Sequence, residues 1–266
     1  MSPDTRAVYA SLAALSSRYA GHGAPAPRAP APDLAPHELR VFSQNGEDGV
    51  IEEILRRVGI RGGGFVEFGV GTGVEGNCVF LASVLGWEGL FMEADPDLFA
   101  LLDARYEGHR GVRTVRAQVG PENVNALLAE GAPSREPDVL SIDVDGIDYW
   151  IWRALEVARP RALVIEYNAH LGPDDELVQP LDPRVAWDGT DGFGASLGAL
   201  RSLGARKGYR LVHTDLAGVN AFFVREDLAG PFGPEDAVPV RAPNYFLTGE
   251  GHPPHEGDRT FVTPPP

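Results

Sequence analysis

Apolar and polar positions alternate along this chain with two different periods, one typical of buried strands and one typical of amphipathic helices. Segments rich in Val, Ile, Leu and Phe predict strands over 65–69, 89–93, 112–117, 138–143 and 162–167. Segments with helical spacing predict helices over 47–58, 77–85, 96–105, 121–130 and 148–158. Regular alternation of this kind predicts parallel β-α-β units with right-handed crossovers.

The pattern changes near the end of this region. A predicted helix over 197–207 leads to two apolar segments, 209–213 and 220–225, whose connection is too short for a crossover helix. These two strands are therefore expected to form an antiparallel hairpin. The predicted fold is α/β and Rossmann-like, with a mostly parallel seven-stranded sheet and a C-terminal antiparallel hairpin.

Segments on either side of this region differ in composition. We expect an N-terminal helix over residues 1–22, which is an arm, a flap or a frayed extension, followed by a linker rich in Pro and Ala over 23–37. The catalytic domain is then expected over 38–228, and an extended tail over 229–266. Within the domain, residues 170–192 lack helical or strand periodicity. A connection of this length predicts a lid over a ligand.

The first predicted strand runs into a turn that contains three alternate glycines, Gly69, Gly71 and Gly73. Glycine is required where the backbone turns with positive φ or closely approaches a ligand. The turn matches the G-x-G-x-x-G dinucleotide pattern, so a pyrophosphate is one candidate ligand. Glu67, inside the strand, is a poor neighbour for a diphosphate and a good one for an ammonium and a sulfonium. This charge favours S-adenosylmethionine (SAM).

A second acidic residue, Glu93, ends the next predicted strand about twenty residues after the glycine turn. A carboxylate at this point can accept hydrogen bonds from both ribose hydroxyls of a nucleotide. Dinucleotides and SAM both contain ribose, so Glu93 supports a cofactor site without choosing between them.

Acidic and amide side chains are concentrated at the ends of the fourth and fifth strands. Asp143 and Asp145 follow one strand, and Glu166 and Asn168 end the next. Carboxylates that converge on one crevice repel one another unless a cation lies between them or some of them are protonated. Three sources of positive charge are open: the cofactor and substrate, an Arg or Lys ion pair, or a divalent ion such as Mg²⁺ bound by Asp143, Glu166 and Asn168.

A transfer reaction at this crevice requires a base and a surface for the acceptor. Asp143 is the first candidate for the base and His170 the second. Candidate substrate contacts are one acid, two tyrosines at strand ends, a lid tryptophan and an amide before the last strand: Asp145, Tyr149, Tyr167, Trp187 and Asn220. Aromatic residues at such positions also serve as core, which is the alternative for the tyrosines.

Composition limits the classes of partner. The formal net charge of −15 over 266 residues argues against nucleic acid and anionic membrane as partners. The chain lacks an apolar run long enough to span a bilayer and a signal pattern at its start. We therefore expect a cytoplasmic protein with a small-molecule acceptor, and its N-terminal helix would allow a homodimer.

Six motifs occur together: Ser43-Gln-Asn-Gly-Glu-Asp-Gly49, Val66-Glu-Phe-Gly-Val-Gly-Thr-Gly73, Ser141-Ile-Asp-Val-Asp-Gly-Ile-Asp-Tyr-Trp150, Val164-Ile-Glu-Tyr-Asn168, Phe193-Gly-Ala-Ser-Leu197 and Gly218-Val-Asn-Ala-Phe-Phe-Val224. This combination resembles a bacterial family of class I SAM-dependent methyltransferases, distantly similar to the FkbM group. The resemblance implies SAM as cofactor, with Glu67 and Gly69 beside its methionine part, Glu93 on its ribose and Gln118 near its adenine.

The resulting hypothesis is a SAM-dependent methyltransferase of natural-product biosynthesis that methylates a hydroxyl of a sugar-containing or other small molecule. One alternative is another SAM-consuming reaction on the same fold, an intramolecular cyclisation to a cyclic amino acid. An oxidoreductase of the NAD type is a further alternative, against which Glu67 argues. A binding module without activity is the third.

Overall fold

Seven strands and seven α-helices make up the computed structural model, which describes residues 3–21, 33–182, 187–243 and 260–265. The strands are β1 (Gly64–Phe68), β2 (Glu88–Glu93), β3 (Val112–Arg116), β4 (Val139–Ile142), β5 (Ala162–Glu166), β6 (Tyr209–Thr214) and β7 (Asn220–Arg225). The helices are α1 (Pro3–Ala20), α2 (Glu47–Arg57), α3 (Val79–Ser83), α4 (Pro96–Tyr106), α5 (Val124–Gly131), α6 (Asp148–Ala154) and α7 (Leu197–Lys207).

The strands form one sheet in the order β3-β2-β1-β4-β5-β7-β6. Strands β1 to β5 pair in parallel, whereas β7 runs antiparallel to both β5 and β6. The predicted architecture, a Rossmann-like and mostly parallel seven-stranded sheet with a C-terminal antiparallel hairpin, is confirmed. Strand order reverses between β1 and β4, and ligands of such sheets bind outside the carboxyl ends of the strands at this reversal.

Apolar side chains are buried on both faces of the sheet. Each strand contributes to both faces, because its alternate residues point to opposite sides. Val66 and Phe68 of β1 belong to one apolar cluster together with Trp152 of α6, whereas Phe65 belongs to the other, with Ile54 of α2. Because both faces of each strand are buried, the strand sequences are nearly continuous apolar segments. It also fixes the strand ends, from which the polar side chains of the candidate site project.

The N-terminal helix α1 packs against α2. Leu15 is fully buried, Tyr19 stacks on Phe80 with ring centroids 5.4 Å apart, and an Arg18 guanidinium nitrogen donates to the carbonyl of His37 at 3.0 Å. Most of the predicted linker 23–37 lies outside the described residues. Its last part contains a short 3-10 helix, Ala35–His37.

The described parts of the C-terminal tail lie against the domain. Val262 forms an isolated antiparallel bridge with Val178 of the lid, and Glu235 accepts a hydrogen bond from Arg201 at 2.8 Å. Within the described ranges, every helix is too short or too polar to cross a bilayer.

Candidate functional site

A cleft of about 650 Å³ opens at the carboxyl ends of β1, β4 and β5. Its walls come from the glycine turn after β1, the loop after β4, the end of β5, the lid and the start of β7. Six of its lining residues are acidic: Glu47, Glu67, Glu75, Asp143, Asp145 and Glu166. None of the described lining residues is Arg, Lys or His. The volume is within the range of small-molecule sites, and the charge is suited to a cationic ligand.

The three glycines of the turn have different roles, although each has positive φ. A Cβ on Gly69 would lie 1.7 Å from the backbone oxygen of Asp143, so only glycine lets the turn approach the end of β4. A Cβ on Gly71 would have no atom within 4 Å, because this residue faces the open cleft. Gly73 does not line the cleft, and a Cβ there would meet Leu102 of α4 at 2.6 Å. Its role is helix packing, which corrects its prediction as a cofactor residue.

Glu67 lines the cleft and is held in place by the start of the next helix. Its Oε1 accepts a hydrogen bond from the backbone N–H of Asn77 at 2.7 Å, and Oε2 accepts one from Cys78 at 2.9 Å. Burial raises the pKa of Glu67 to about 7, against the lowering effect of these two hydrogen bonds. A cation placed beside this carboxylate would favour its ionised form.

Glu93 reaches the same turn from the end of β2. Its Oε2 accepts a hydrogen bond from the backbone N–H of Gly71, and its Oε1 accepts one from Asp95, both at 2.8 Å. Glu93 is not among the residues that line the cleft, but each of its carboxylate oxygens retains capacity for a second donor, such as a ribose hydroxyl. Gln118 is also outside the cleft lining; it is exposed, and its carbonyl accepts a hydrogen bond from Asn123. Its position near the adenine stays a prediction.

Three carboxylates converge at the floor of the cleft. One oxygen each of Asp143, Asp145 and Glu166 lies within 4.8 Å of the other two. Burial raises the pKa of Asp143 well above its ordinary value, and Asp145 and Asp148 raise it further. Burial and then the charge of Asp143 likewise raise the pKa of Glu166. Of the three sources of positive charge considered from the sequence, an Arg or Lys ion pair is not present among the described residues at this point.

The loop after β4 holds Asp145 in a strained conformation. Asp145 has φ of +56°, the one positive φ of a residue other than glycine in the described chain. The Asp148 carboxylate accepts hydrogen bonds from the backbone N–H groups of Val144 and Gly146, both at 2.9 Å. Asp148 therefore fixes the conformation of the loop. These two hydrogen bonds hold Asp145 at its unfavourable φ.

Asn168, predicted as a metal ligand, has a different role. It is 0% exposed, its amide nitrogen donates to the carbonyls of Asp191 and Phe193 at 2.7 and 2.8 Å, and its Oδ1 accepts from the backbone N–H of His170 at 3.0 Å. The side-chain alternation of β5 stops at Glu166, so Asn168 turns away from the cleft and closes the base of the lid. Asp145 takes its place beside Asp143 and Glu166.

The two predicted tyrosine contacts are also corrected. Tyr149 and Tyr167 are each 1% exposed and belong to the apolar cluster on one face of the sheet, and the Tyr149 hydroxyl accepts a hydrogen bond from Arg206. Neither lines the cleft. His170 is also outside the cleft lining, which leaves Asp143 as the better placed of the two candidate bases.

Trp187 and Asn220 lie where they were predicted, on the cleft wall. Trp187 is 47% exposed, and its indole nitrogen donates to the carbonyl of Thr190 at 2.7 Å. The lid segment 183–186 that precedes it lies outside the described residues. Asn220 is 3% exposed, and its amide nitrogen donates to Oε1 of Glu47 at 2.9 Å.

Gln44 and Glu47 are among the lining residues that were not predicted. Glu47 begins α2, and its Oε2 accepts hydrogen bonds from the backbone N–H groups of Asn45 and Gly46 at 2.8 and 2.7 Å. The sequence signal was the motif Ser43–Gly49, which had been used only for the family resemblance. A buried acid at the start of a predicted helix could have indicated this wall.

Comparisons with known proteins give likenesses in structure only. No protein-family model matches the chain, and no curated protein matches it. The N-terminal domain of EvdMO1 with S-adenosylhomocysteine (SAH) bound is 13% identical, over 69% of this chain and 81% of that chain, with a TM-score of 0.46. The glycopeptide N-methyltransferase MtfA, complexed with SAH, is 15% identical over 66% of this chain and 88% of that chain, with a TM-score of 0.40.

A SAM-dependent methyltransferase from Aquifex aeolicus is 11% identical, over 66% of this chain and 89% of that chain, with a TM-score of 0.41. The full-length structure of EvdMO1 is matched over 40% of its own length. At such identities and TM-scores the likenesses give no information about the chemistry of this chain, which has to be inferred from its own cleft.

Proposed function

We propose that this chain is a SAM-dependent methyltransferase. The observation that carries the proposal is the cleft itself, in which carboxylates surround the glycine turn and the described lining offers no Arg, Lys or His. SAM presents an ammonium and a sulfonium, which such a cleft attracts. The diphosphate of NAD or NADP would instead meet Glu67 and Asp143, with no cation among the described lining residues to offset the repulsion.

The residues around the turn fit SAM in three ways. Gly71 leaves open space in which a ligand can lie against the backbone. Glu67 places a carboxylate beside that space for the ammonium or the sulfonium. Glu93, fixed by the N–H groups of Gly71 and Asp95, retains lone pairs for the ribose hydroxyls.

The chemistry requires little of the protein beyond positioning and proton removal. Bound SAM supplies a methyl carbon on a positively charged sulfur, and its transfer to an acceptor oxygen leaves SAH. Asp143 is placed to accept the proton of that hydroxyl and to release it to solvent, so that charge and atoms balance. Carboxylates accept hydrogen bonds from hydroxyl groups, which supports a polyhydroxylated acceptor such as a sugar-containing natural product.

Thermal unfolding with SAH, NAD and NADP in parallel tests the proposed cofactor. We expect SAH alone to raise the melting temperature, because a ligand at one hundred times its Kd stabilises the folded state by about 2.7 kcal/mol. Isothermal titration should then give one SAH per chain. Stabilisation by NAD or NADP and none by SAH would overturn the proposed function.

Glu93→Ala tests the ribose contact. The variant should bind SAH more weakly by roughly 1–3 kcal/mol, because the ribose hydroxyls lose a charged acceptor. Glu107→Ala is the matched control, since Glu107 is an exposed acid that follows α4. Titration calorimetry compares the two. Equal SAH affinity in both variants would show that Glu93 does not contact the cofactor.

A further inference from the structure

The three carboxylates at the floor of the cleft have the spacing of a cation site. Oxygens of Asp143, Asp145 and Glu166 lie within 4.8 Å of one another, so an ion at the centre of the three could lie no more than about 2.8 Å from each. Calcium ligands lie at about 2.3–2.6 Å, and a small closure of the side chains would suit Mg²⁺ or Mn²⁺. Carboxylate oxygens are the ligands that these hard cations prefer.

A second observation points to a ligand independently of this cluster. Asn220 is 3% exposed, and its Oδ1 has no hydrogen-bond partner within the described part of the chain. Its amide nitrogen is committed to Glu47, so the orientation of the amide is fixed. A buried amide oxygen without a partner is costly, and a bound cation would satisfy it.

The position of Asn220 connects that oxygen with the cluster. Asn220 is the partner of Glu166 in the antiparallel register of β5 and β7, and directly opposite residues project from the same face of a sheet. Both line the cleft. Glu166 has an unpartnered oxygen of its own, because its buried Oε2 lacks a hydrogen bond to any described residue. Two oxygens without donors therefore lie on one wall.

The surrounding charge disfavours the ionised form of the cluster when no cation is bound. Glu47 and Glu67 add their charges from neighbouring walls, and Asp148 lies beneath the loop. Among the described lining residues no basic side chain offsets them. A monocationic cofactor would neutralise only part of this charge, whereas a divalent ion at the cluster would neutralise two carboxylates.

We propose that Asp143, Asp145, Glu166 and Asn220 bind one hard divalent cation, Mg²⁺, Mn²⁺ or Ca²⁺. Asp145 is exposed, so the ion keeps coordination positions that face the open cleft. The second half of the inference rests on the proposed function: those positions bind two neighbouring oxygens of the acceptor, such as a vicinal diol or a hydroxyl beside a carbonyl. The cation then lowers the pKa of the bound hydroxyl, and the Asp143 oxygen that does not bind the ion accepts its proton.

Binding of Mn²⁺ to the full chain tests the cation site without knowledge of the acceptor. After treatment with chelator and dialysis, the protein should bind one Mn²⁺, measured by electron paramagnetic resonance of free Mn²⁺, with competition by Mg²⁺ or Ca²⁺. Glu166→Gln and Asp145→Asn should each weaken Mn²⁺ at least tenfold. Asn220→Leu, which removes the amide oxygen at similar volume, should weaken it several-fold.

Glu75→Gln is the control for the general negative charge of the cleft. Glu75 lines the same cleft, is half exposed and pairs with Arg40 at 3.0 Å, yet lies outside the proposed ligand set. Its Mn²⁺ affinity should equal that of the wild type. Circular dichroism confirms that each variant is folded. Equal weakening by Glu75→Gln, or no stoichiometric Mn²⁺ in the wild type, overturns the cation site.

SAH affinity, measured on the same samples, separates the two proposals. If SAH binds and Mn²⁺ does not, the cation site is wrong and the proposed function stands. If Mn²⁺ binds stoichiometrically and SAH does not, the proposed function is wrong, and the acceptor part of the inference is overturned with it. For that acceptor part, SAH-loaded protein with Mg²⁺ should bind simple vicinal diols more tightly than their mono-ols, and equal binding would overturn it.

Discussion

Gly69→Ala should lower the free energy of unfolding by roughly 3–5 kcal/mol. Two separate costs add up at this position. Its φ of +74° is a conformation that alanine rarely adopts, and the added Cβ would lie 1.7 Å from the carbonyl oxygen of Asp143. Neither cost can be relieved locally, because Gly69 also donates its N–H to Met92 at 2.9 Å and is thereby tied to β2.

Gly71→Ala is the matched control for this prediction. Gly71 has φ of +57° but open space at the position of a Cβ, so only the conformational cost of about 1–2 kcal/mol applies. Urea unfolding of the two variants should separate them clearly. Gly71→Ala should stay folded and lose SAH affinity, since its methyl group enters the space assigned to the cofactor. Similar stability of the two variants would contradict the packing of the turn against the β4 end.

The stability of the ligand-free protein should fall as the pH rises through 7, because of Glu67. Burial, and to a smaller degree the charge of Asp48, raise the pKa of Glu67 from 4.5 to about 7 in the folded state. A raised acid pKa contributes stability that is fully present below 4.5 and is lost as the pH rises through about 7. The loss amounts to roughly 3 kcal/mol for this side chain.

Glu67→Gln isolates this effect, since glutamine has similar shape and does not titrate. The difference in unfolding free energy between wild type and Glu67→Gln should change by roughly 3 kcal/mol between pH 4.5 and pH 7.5. Saturating SAM should reduce the loss, because its positive groups favour the ionised carboxylate. SAH, whose sulfur is neutral, should reduce it less. A constant difference across this pH range would mean that the pKa of Glu67 is not raised in the folded state.

Sequence periodicity was sufficient for the architecture. Most predicted strand and helix boundaries lie within about two residues of the observed ones, because double burial leaves a strong apolar signal in each strand. Gly69 and Glu67 could also be predicted as site residues from local sequence alone. Their roles depend on local backbone geometry and on a charge within one strand, both of which can be read from neighbouring residues.

Contacts between segments that are far apart in sequence could not be predicted from periodicity. Asn220 and Glu47 are 173 positions apart in sequence, and only the folded sheet brings the start of α2 to the start of β7. Tyr167 illustrates another limit, since the position of a residue at a strand end does not decide whether its side chain turns to the cleft or to the core. For Asn168, the prediction extended the alternation of β5 two residues beyond its actual end.

The lid is attached to the domain through backbone groups. Asn168 binds the carbonyls of Asp191 and Phe193, and the backbone groups of residues 177–179 pair with those of residues 194–196. Because these hydrogen bonds use backbone groups of the lid, they do not require particular side chains at those positions. The residues between these fixed ends can therefore diverge without disturbing the glycine turn or the acidic floor. Under the proposed function, exchange of this one segment in evolution or in design would change acceptor preference while the rest of the chain is inherited intact.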